Sequence, residues 1–138
     1  MHPFHMESIT AGGHCAALRI DGDIDAYAAP QLRDRVTDLA GHGAVHIIAD
    51  LRGAGFLDSA GLGALVGSRT GLRARGGSLT LVASAGRILQ TLRITGLSDA
   101  FPLYSCVLDA ITADQHWQAA VSGEGGNTGE WCREHGLL

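Results

Sequence analysis

The residue types best suited to chemistry stand together in Gly55-Phe56-Leu57-Asp58-Ser59-Ala60-Gly61-Leu62-Gly63. This stretch lies where an apolar strand and a short loop hand over to a helix. A hydroxyl, Ser59, follows a carboxylate, Asp58, at the helix start. Backbone N–H groups there are unpaired and carry partial positive charge, so an anion is favoured at that point. Two chemistries fit such a hydroxyl: attack as a nucleophile, or acceptance of a phosphate. A hydrolase elbow requires G-x-S-x-G, and Leu57 stands where the first glycine belongs. No histidine is placed in the sequence as an obvious base, and no G-x-x-x-x-G-K-[ST] phosphate loop exists. The residues therefore assign no catalytic group and leave Ser59 open to phosphorylation as a switch on a protein-binding domain. The blander alternative is a serine that only satisfies backbone donors. For Asp58, helix capping and recognition by a kinase are compatible roles.

The elements that must position this stretch read as alternating strands and helices. A weak strand over 5–10 and a strand over 14–20 flank Gly12-Gly13, a hairpin turn signal. Residues 21–25 read as an acidic loop. Pro30 opens a helix carrying Leu32, Val36, Leu39 and Ala40 at i, i+4, i+7 and i+8, and Gly41-His42-Gly43 stops it. The apolar run 44–49 suits a strand buried on both faces. Residues 50–55 then lead to a helix over 60–74, whose apolar set is Leu62, Leu65, Val66, Arg69 and Leu72. A strand over 78–82, a helix over 86–94, a short edge strand over 101–104 and a final helix from a Ser105 cap to Val121 complete the pattern. The expectation is a single α/β domain over residues 5–121, a mixed and largely parallel sheet of 4–5 strands covered by about four helices. Residues 122–138 read as a Gly-rich linker and a flexible tail.

Composition narrows the function classes. The chain has 138 residues, 46% of them hydrophobic and 17% charged, which suits one domain with an aliphatic core. A net charge of −4 without a basic cluster argues against nucleic acid or an acidic membrane surface as the main partner. The seven histidines (2, 5, 14, 42, 46, 116 and 135) show no helical metal spacing, so no metal or other cofactor is assigned. His46 reads as a core histidine, and Cys132 with His135 as an incidental pair. The three cysteines, Cys15, Cys106 and Cys132, read as free thiols of a reducing compartment. No apolar run approaches the roughly 20 residues of a membrane helix, and the N-terminus lacks a signal-peptide pattern. A cytoplasmic location is expected.

The chain resembles the STAS-domain family, and within it the bacterial anti-sigma factor antagonists. The resemblance spans about residues 5–118. It rests on Gly22-Asp23-Ile24-Asp25, Ala29-Pro30-Gln31-Leu32, Asp50-Leu51, Phe56-Leu57-Asp58-Ser59-Ala60-Gly61-Leu62, Gly76-Gly77-Ser78-Leu79 and Leu92-Arg93-Ile94-Thr95-Gly96-Leu97, in that order. The resemblance implies that Ser59 is phosphorylated by an anti-sigma factor that is itself a serine kinase. It further implies that the unphosphorylated protein binds this kinase and frees a sigma factor, as in stress-response transcription, and that a serine phosphatase resets the switch. One departure is Ala28, where such proteins often place a capping Thr; losing that hydroxyl costs about 1 kcal/mol.

The expected partner-facing residues are Asp23, Asp25, Asp58, Ser59, Ala60, Gly61, Leu62 and Gly63. Asp23 and Asp25 also fit turn formers or metal ligands. Gly63, Gly67 and Gly71 form an i, i+4, i+8 stripe that either receives the partner or lets the helix approach its own sheet. Two other functions stay open at this level: a STAS scaffold subunit of a lipid-transport or sensory complex that never meets a kinase, and a small serine hydrolase.

Overall fold

The structure is a computed structural model. It describes residues 3–84 and 86–138, so His2 lies outside the described residues. Five strands, β1 (His5–Ala11), β2 (Cys15–Ile24), β3 (His46–Leu57), β4 (Ser78–Val82) and β5 (Leu103–Tyr104), form one sheet in that order. The Gly12-Gly13 turn makes β1 antiparallel to β2, as the hairpin signal predicts, and the other pairings are parallel. Parallel neighbours require crossovers. These are supplied by α1 (Ala28–Gly41), α2 (Ser59–Ala74) and α3 (Arg87–Ile94), the last followed by the single turn α4 (Leu97–Ala100). Beyond β5 come α5 (Val107–Thr112), α6 (Gln115–Gly123) and α7 (Thr128–Glu134).

Side chains alternate across a strand, and here they divide the core in two. Ala16, Leu18 and Ile20 of β2, Ile47, Ala49 and Leu51 of β3, and Leu79 and Leu81 of β4 join Leu32, Val36, Leu65, Leu72, Ile88 and Leu92 of α1–α3 in an aliphatic cluster. The intervening residues Cys15, Ala17, Ile48 and Val82 meet Val107, Ile111, Trp117, Trp131 and Cys132 of the C-terminal helices, and Leu137 beyond them.

Several sequence expectations differ from the structure. Residues 21–24 are the end of β2, not a loop: Ile20, Gly22 and Ile24 are buried while Asp21 and Asp23 are half-buried, a period-two pattern hidden by the charges. The β2–β3 ladder shifts register between Gly22 and Asp23, with Gly22 at φ +89°, the mark of a bulge that kinks the strand end. Residues 50–55 likewise belong to β3, which runs straight to Leu57. The buried face of α2 is Gly61, Ala64, Leu65, Ser68 and Leu72, and Val66 is exposed. Small residues on that face let the helix lie close to the sheet, which a reading of large apolar residues alone does not detect.

The final helix is three helices. Cys106, not Ser105, caps α5, its Sγ accepting from Asp109 N at 3.5 Å. Asp114 interrupts the run because its carboxylate accepts from His116 N and Trp117 N, starting α6 afresh. Residues 128–138 are also placed differently from the tail expected there. Asn127 Oδ1 accepts from Glu130 N at 2.9 Å and starts α7, which buries Trp131 and Cys132. Arg19 donates to Gly136 O at 2.7 Å, and Arg52 to Leu137 O at 3.0 Å. The Arg52 guanidinium is itself held by the buried Asp50 carboxylate through two hydrogen bonds of 2.9 Å.

Candidate functional site

Only Asp58 separates the end of β3 from the start of α2, with an extended backbone (φ −94°, ψ −175°). All three of its polar groups are engaged. Its N–H donates to Ile24 O at 3.3 Å, its carbonyl accepts from Leu62 N at 2.9 Å, and its Oδ1 accepts from Gly61 N at 2.9 Å. Asp58 is therefore the N-cap of α2. The N–H groups of Ser59 and Ala60, at the first two helical positions, have no intrahelical partner. Ser59 is exposed, and its hydroxyl makes no hydrogen bond among the described residues.

Gly61 fixes this geometry. A Cβ there would run into the Ile24 carbonyl oxygen and a Leu57 methyl group. Only glycine allows the first turn of α2 to sit on the end of β2, and that seat fixes where Ser59 projects. Ala60 and Leu62 are half-buried, with Leu62 packed against the aliphatic cluster.

The acidic pair divides. Ile24 lies between Asp23 and Asp25 and bonds Asp58, so the backbone brings all three acids to the carboxyl edge of the sheet. Asp25 turns its carboxylate inward along the chain, accepting from Tyr27 N and Ala28 N at 3.0 Å each. The first turn of α1 is thus capped three residues before Ala28, which answers the missing Thr hydroxyl at that position. Asp23 stays on β2, opposite Phe56 of β3.

The glycine stripe does not face the sheet. Gly63, Gly67 and Gly71 are exposed, and a Cβ on Gly63 or Gly67 would lie 3.5 or 3.9 Å from the Arg33 guanidinium of α1, while one on Gly71 would meet nothing. Three residues at this edge escape the sequence reading. Tyr27 is 88% exposed and Phe56 40% exposed, and Arg33 crosses from α1 onto α2. Alternation along the extended β3 would have turned Phe56 outward, had residues 50–55 been read as strand.

The histidines gather elsewhere. His46 starts β3, so about 36 Å of strand separates it from Leu57. It is buried, shares a hydrogen bond of 3.1 Å with Ser78 Oγ, and stacks on His116 at 3.9 Å between ring centroids. Burial and the neighbouring His116 push its pKa below the ordinary value, against an opposing pull from Asp114. Burial also raises the Cys15 thiol, to about 11, and raises Cys132. These are inert, protonated thiols, and Cys132 is buried where the sequence suggested only an incidental pair with His135 on a tail. Ser59 thus has no imidazole partner among the described residues. No three His, Cys, Asp or Glu side chains form a metal-binding group among those residues. No helix among them is long and apolar enough to cross a membrane.

The anti-sigma-B factor antagonist of Bacillus subtilis is 40% identical over 82 residues, covering 59% of this chain and 74% of that protein. The one from Listeria monocytogenes is 35% identical over 80 residues, covering 58% of this chain and 70% of that protein. A crystal structure of an anti-sigma factor antagonist from Mycobacterium paratuberculosis superposes with a TM-score of 0.72 at 27% identity, over 80% of this chain and 93% of that one. The STAS-domain family model matches residues 7–110. The bulged strand, the Asp58 cap and the Gly61 seat fall inside that span, and the chain belongs to the STAS-domain family.

Proposed function

We propose that this protein is an anti-sigma factor antagonist that works by partner switching through Ser59. Unphosphorylated, it binds a serine-kinase anti-sigma factor through the edge formed by Asp23, Asp25 and Asp58–Gly63, and so frees the sigma factor. Phosphorylation of Ser59 by that kinase releases it, and a serine phosphatase restores it. The observation that carries this reading is the exposed, unpartnered Ser59 hydroxyl at the first position of α2, beside a carboxylate already engaged as the cap.

Electrostatics makes the switch sufficient without a change of fold. A phosphate adds about −1.5 to −2 charges and three acceptor oxygens. The open end of α2 stabilises it by about 0.3–1 kcal/mol, so the phosphoprotein stays folded. A partner packed over Ser59 must instead bury that charge beside Asp58, and such burial costs several kcal/mol. A loss of about 3 kcal/mol already exceeds a hundredfold in affinity.

The test is incubation with the candidate kinase and ATP, followed by mass spectrometry. Phosphate is expected on Ser59 alone and absent from Ser59→Ala. Ser59→Glu is expected to weaken kinase binding at least a hundredfold with its thermal midpoint nearly unchanged. Phosphate on another residue, or equal kinase binding by wild type and Ser59→Glu, overturns the proposal.

A further inference from the structure

We propose that Arg33 of α1 is the built-in ligand of a phosphate on Ser59. This inference rests on Ser59 being the modified residue. It concerns what the molecule itself does with the phosphate, a question separate from which partner is released.

Ser59, Gly63, Gly67 and Gly71 repeat every four residues and so line one side of α2. Arg33 lies along that line. Its Nε is 3.9 Å from where a Cβ would stand on Gly67, and its Nη2 is 3.5 Å from where one would stand on Gly63. The guanidinium therefore points along the stripe towards the start of α2, and the next position on the line is Ser59. One turn of helix, about 5.4 Å of rise, separates Gly63 from Ser59. A phosphate on Ser59 reaches beyond the hydroxyl oxygen by two further bonds. A rotation about the last torsions of the arginine spans what remains.

Arg33 is exposed and has no hydrogen bond or ion pair among the described residues, so no existing contact must break for it to move. Its reach depends on the stripe, because a large side chain at position 63 would stand between the guanidinium and Ser59. Charged residues at this edge among the described residues include Asp58, just before α2, Asp23 at the end of β2 and Asp25 just after it. Two of those carboxylates are engaged as caps, Asp58 on Gly61 N and Asp25 on Tyr27 N and Ala28 N. A guanidinium fork matches phosphate oxygens in pairs, which an ammonium does not. Capture would also draw Arg33 over the partner-facing edge, so phosphorylation would rearrange the surface as well as charge it.

The full-length protein is made with phosphoserine placed at position 59 by codon-directed incorporation, which removes any dependence on a kinase. The readout is the second ionisation of that phosphate, followed by phosphorus NMR against pH. A cation in contact favours the dianion, so Arg33→Gln is expected to raise this pKa by about half a unit or more from its wild-type position. Arg33→Lys is expected to fall between the two. Gly63→Leu, which keeps every charge, is expected to match Arg33→Gln, while Arg73→Gln, an exposed charge at the far end of α2, leaves the value unchanged. Equal pKa values in wild type and Arg33→Gln, or equal shifts from Arg33→Gln and Arg73→Gln, overturn the assignment. Either result leaves kinase release by phospho-Ser59, measured separately by binding, to stand or fall alone.

Discussion

The two faces of the sheet are built by opposite means. On one face, α1, α2 and α3 follow directly from the strands they connect, and the cluster they cover is aliphatic apart from Phe101. On the other face no crossover helix lies among the described residues, and the cover comes from the chain's last third. There Trp117 and Trp131 pack edge to face with centroids 5.5 Å apart, and Arg19 and Arg52 hold the final carbonyls. The first face carries the edge with Ser59, because a crossover helix must begin where a strand ends. The second face is closed by long-range contacts, and its residues stand apart from Ser59. The long-range contacts that close the second face and the Ser59 edge therefore lie in different parts of the fold.

Four measurements would break or sharpen this contrast, from the largest effect to the smallest. Trp117→Ala removes a fully buried indole and is expected to lower stability by about 3–5 kcal/mol in urea unfolding. Kinase binding per folded molecule should nevertheless stay at the wild-type level. Lost binding in the folded fraction would mean that the second face does shape the site.

Gly61→Ala acts on the other side of the comparison. Its Cβ meets backbone, so the start of α2 must shift; about 1–3 kcal/mol should be lost, together with kinase affinity. Asp58→Ala removes the cap on Gly61 N and is expected to lose about 1 kcal/mol by thermal or urea denaturation. If either variant kept full stability, the tight seat of α2 on β2 would not be what organises the edge.

The smallest effect is one of pH, and it belongs to the amino end of the strands. His46 is held below its ordinary pKa in the folded protein. Between that lowered value and about 6.5, the unfolded chain binds more protons than the folded one. Stability should thus fall as the pH drops through this window, seen as a lower urea midpoint. His46→Gln should flatten the dependence, and an unchanged slope would assign it to other groups.

Legibility in the sequence followed the range of the interactions. The helix face of α1, the hairpin turn and the alternation of strands with helices rest on periodicity and on glycine and proline positions, which act over a few residues. Strand ends were harder. Asp21, Asp23 and Asp50–Gly55 look like loop by composition, yet pairing between β2 and β3 supplies the backbone hydrogen bonds that keep them extended. The docking of α7 was hidden as well. Asn127-x-x-Glu130 is a local helix-start signal. The burial of Trp131 and Leu137, however, depends on a surface made by residues more than a hundred positions earlier, among them Cys15 and Ala17.

The sequence alone determined that Ser59 follows a carboxylate at a helix start, and that neither an elbow glycine nor a phosphate loop accompanies it, because these are matters of neighbouring residues. Tertiary structure decided the rest of the site. It seated Gly61 on the Ile24 carbonyl and laid Arg33 along the glycine stripe, whereas the Asp25 cap of α1 is a contact of two and three residues along the chain. The first two facts join residues from different elements, and only packing of β2, α1 and α2 on one another sets such distances.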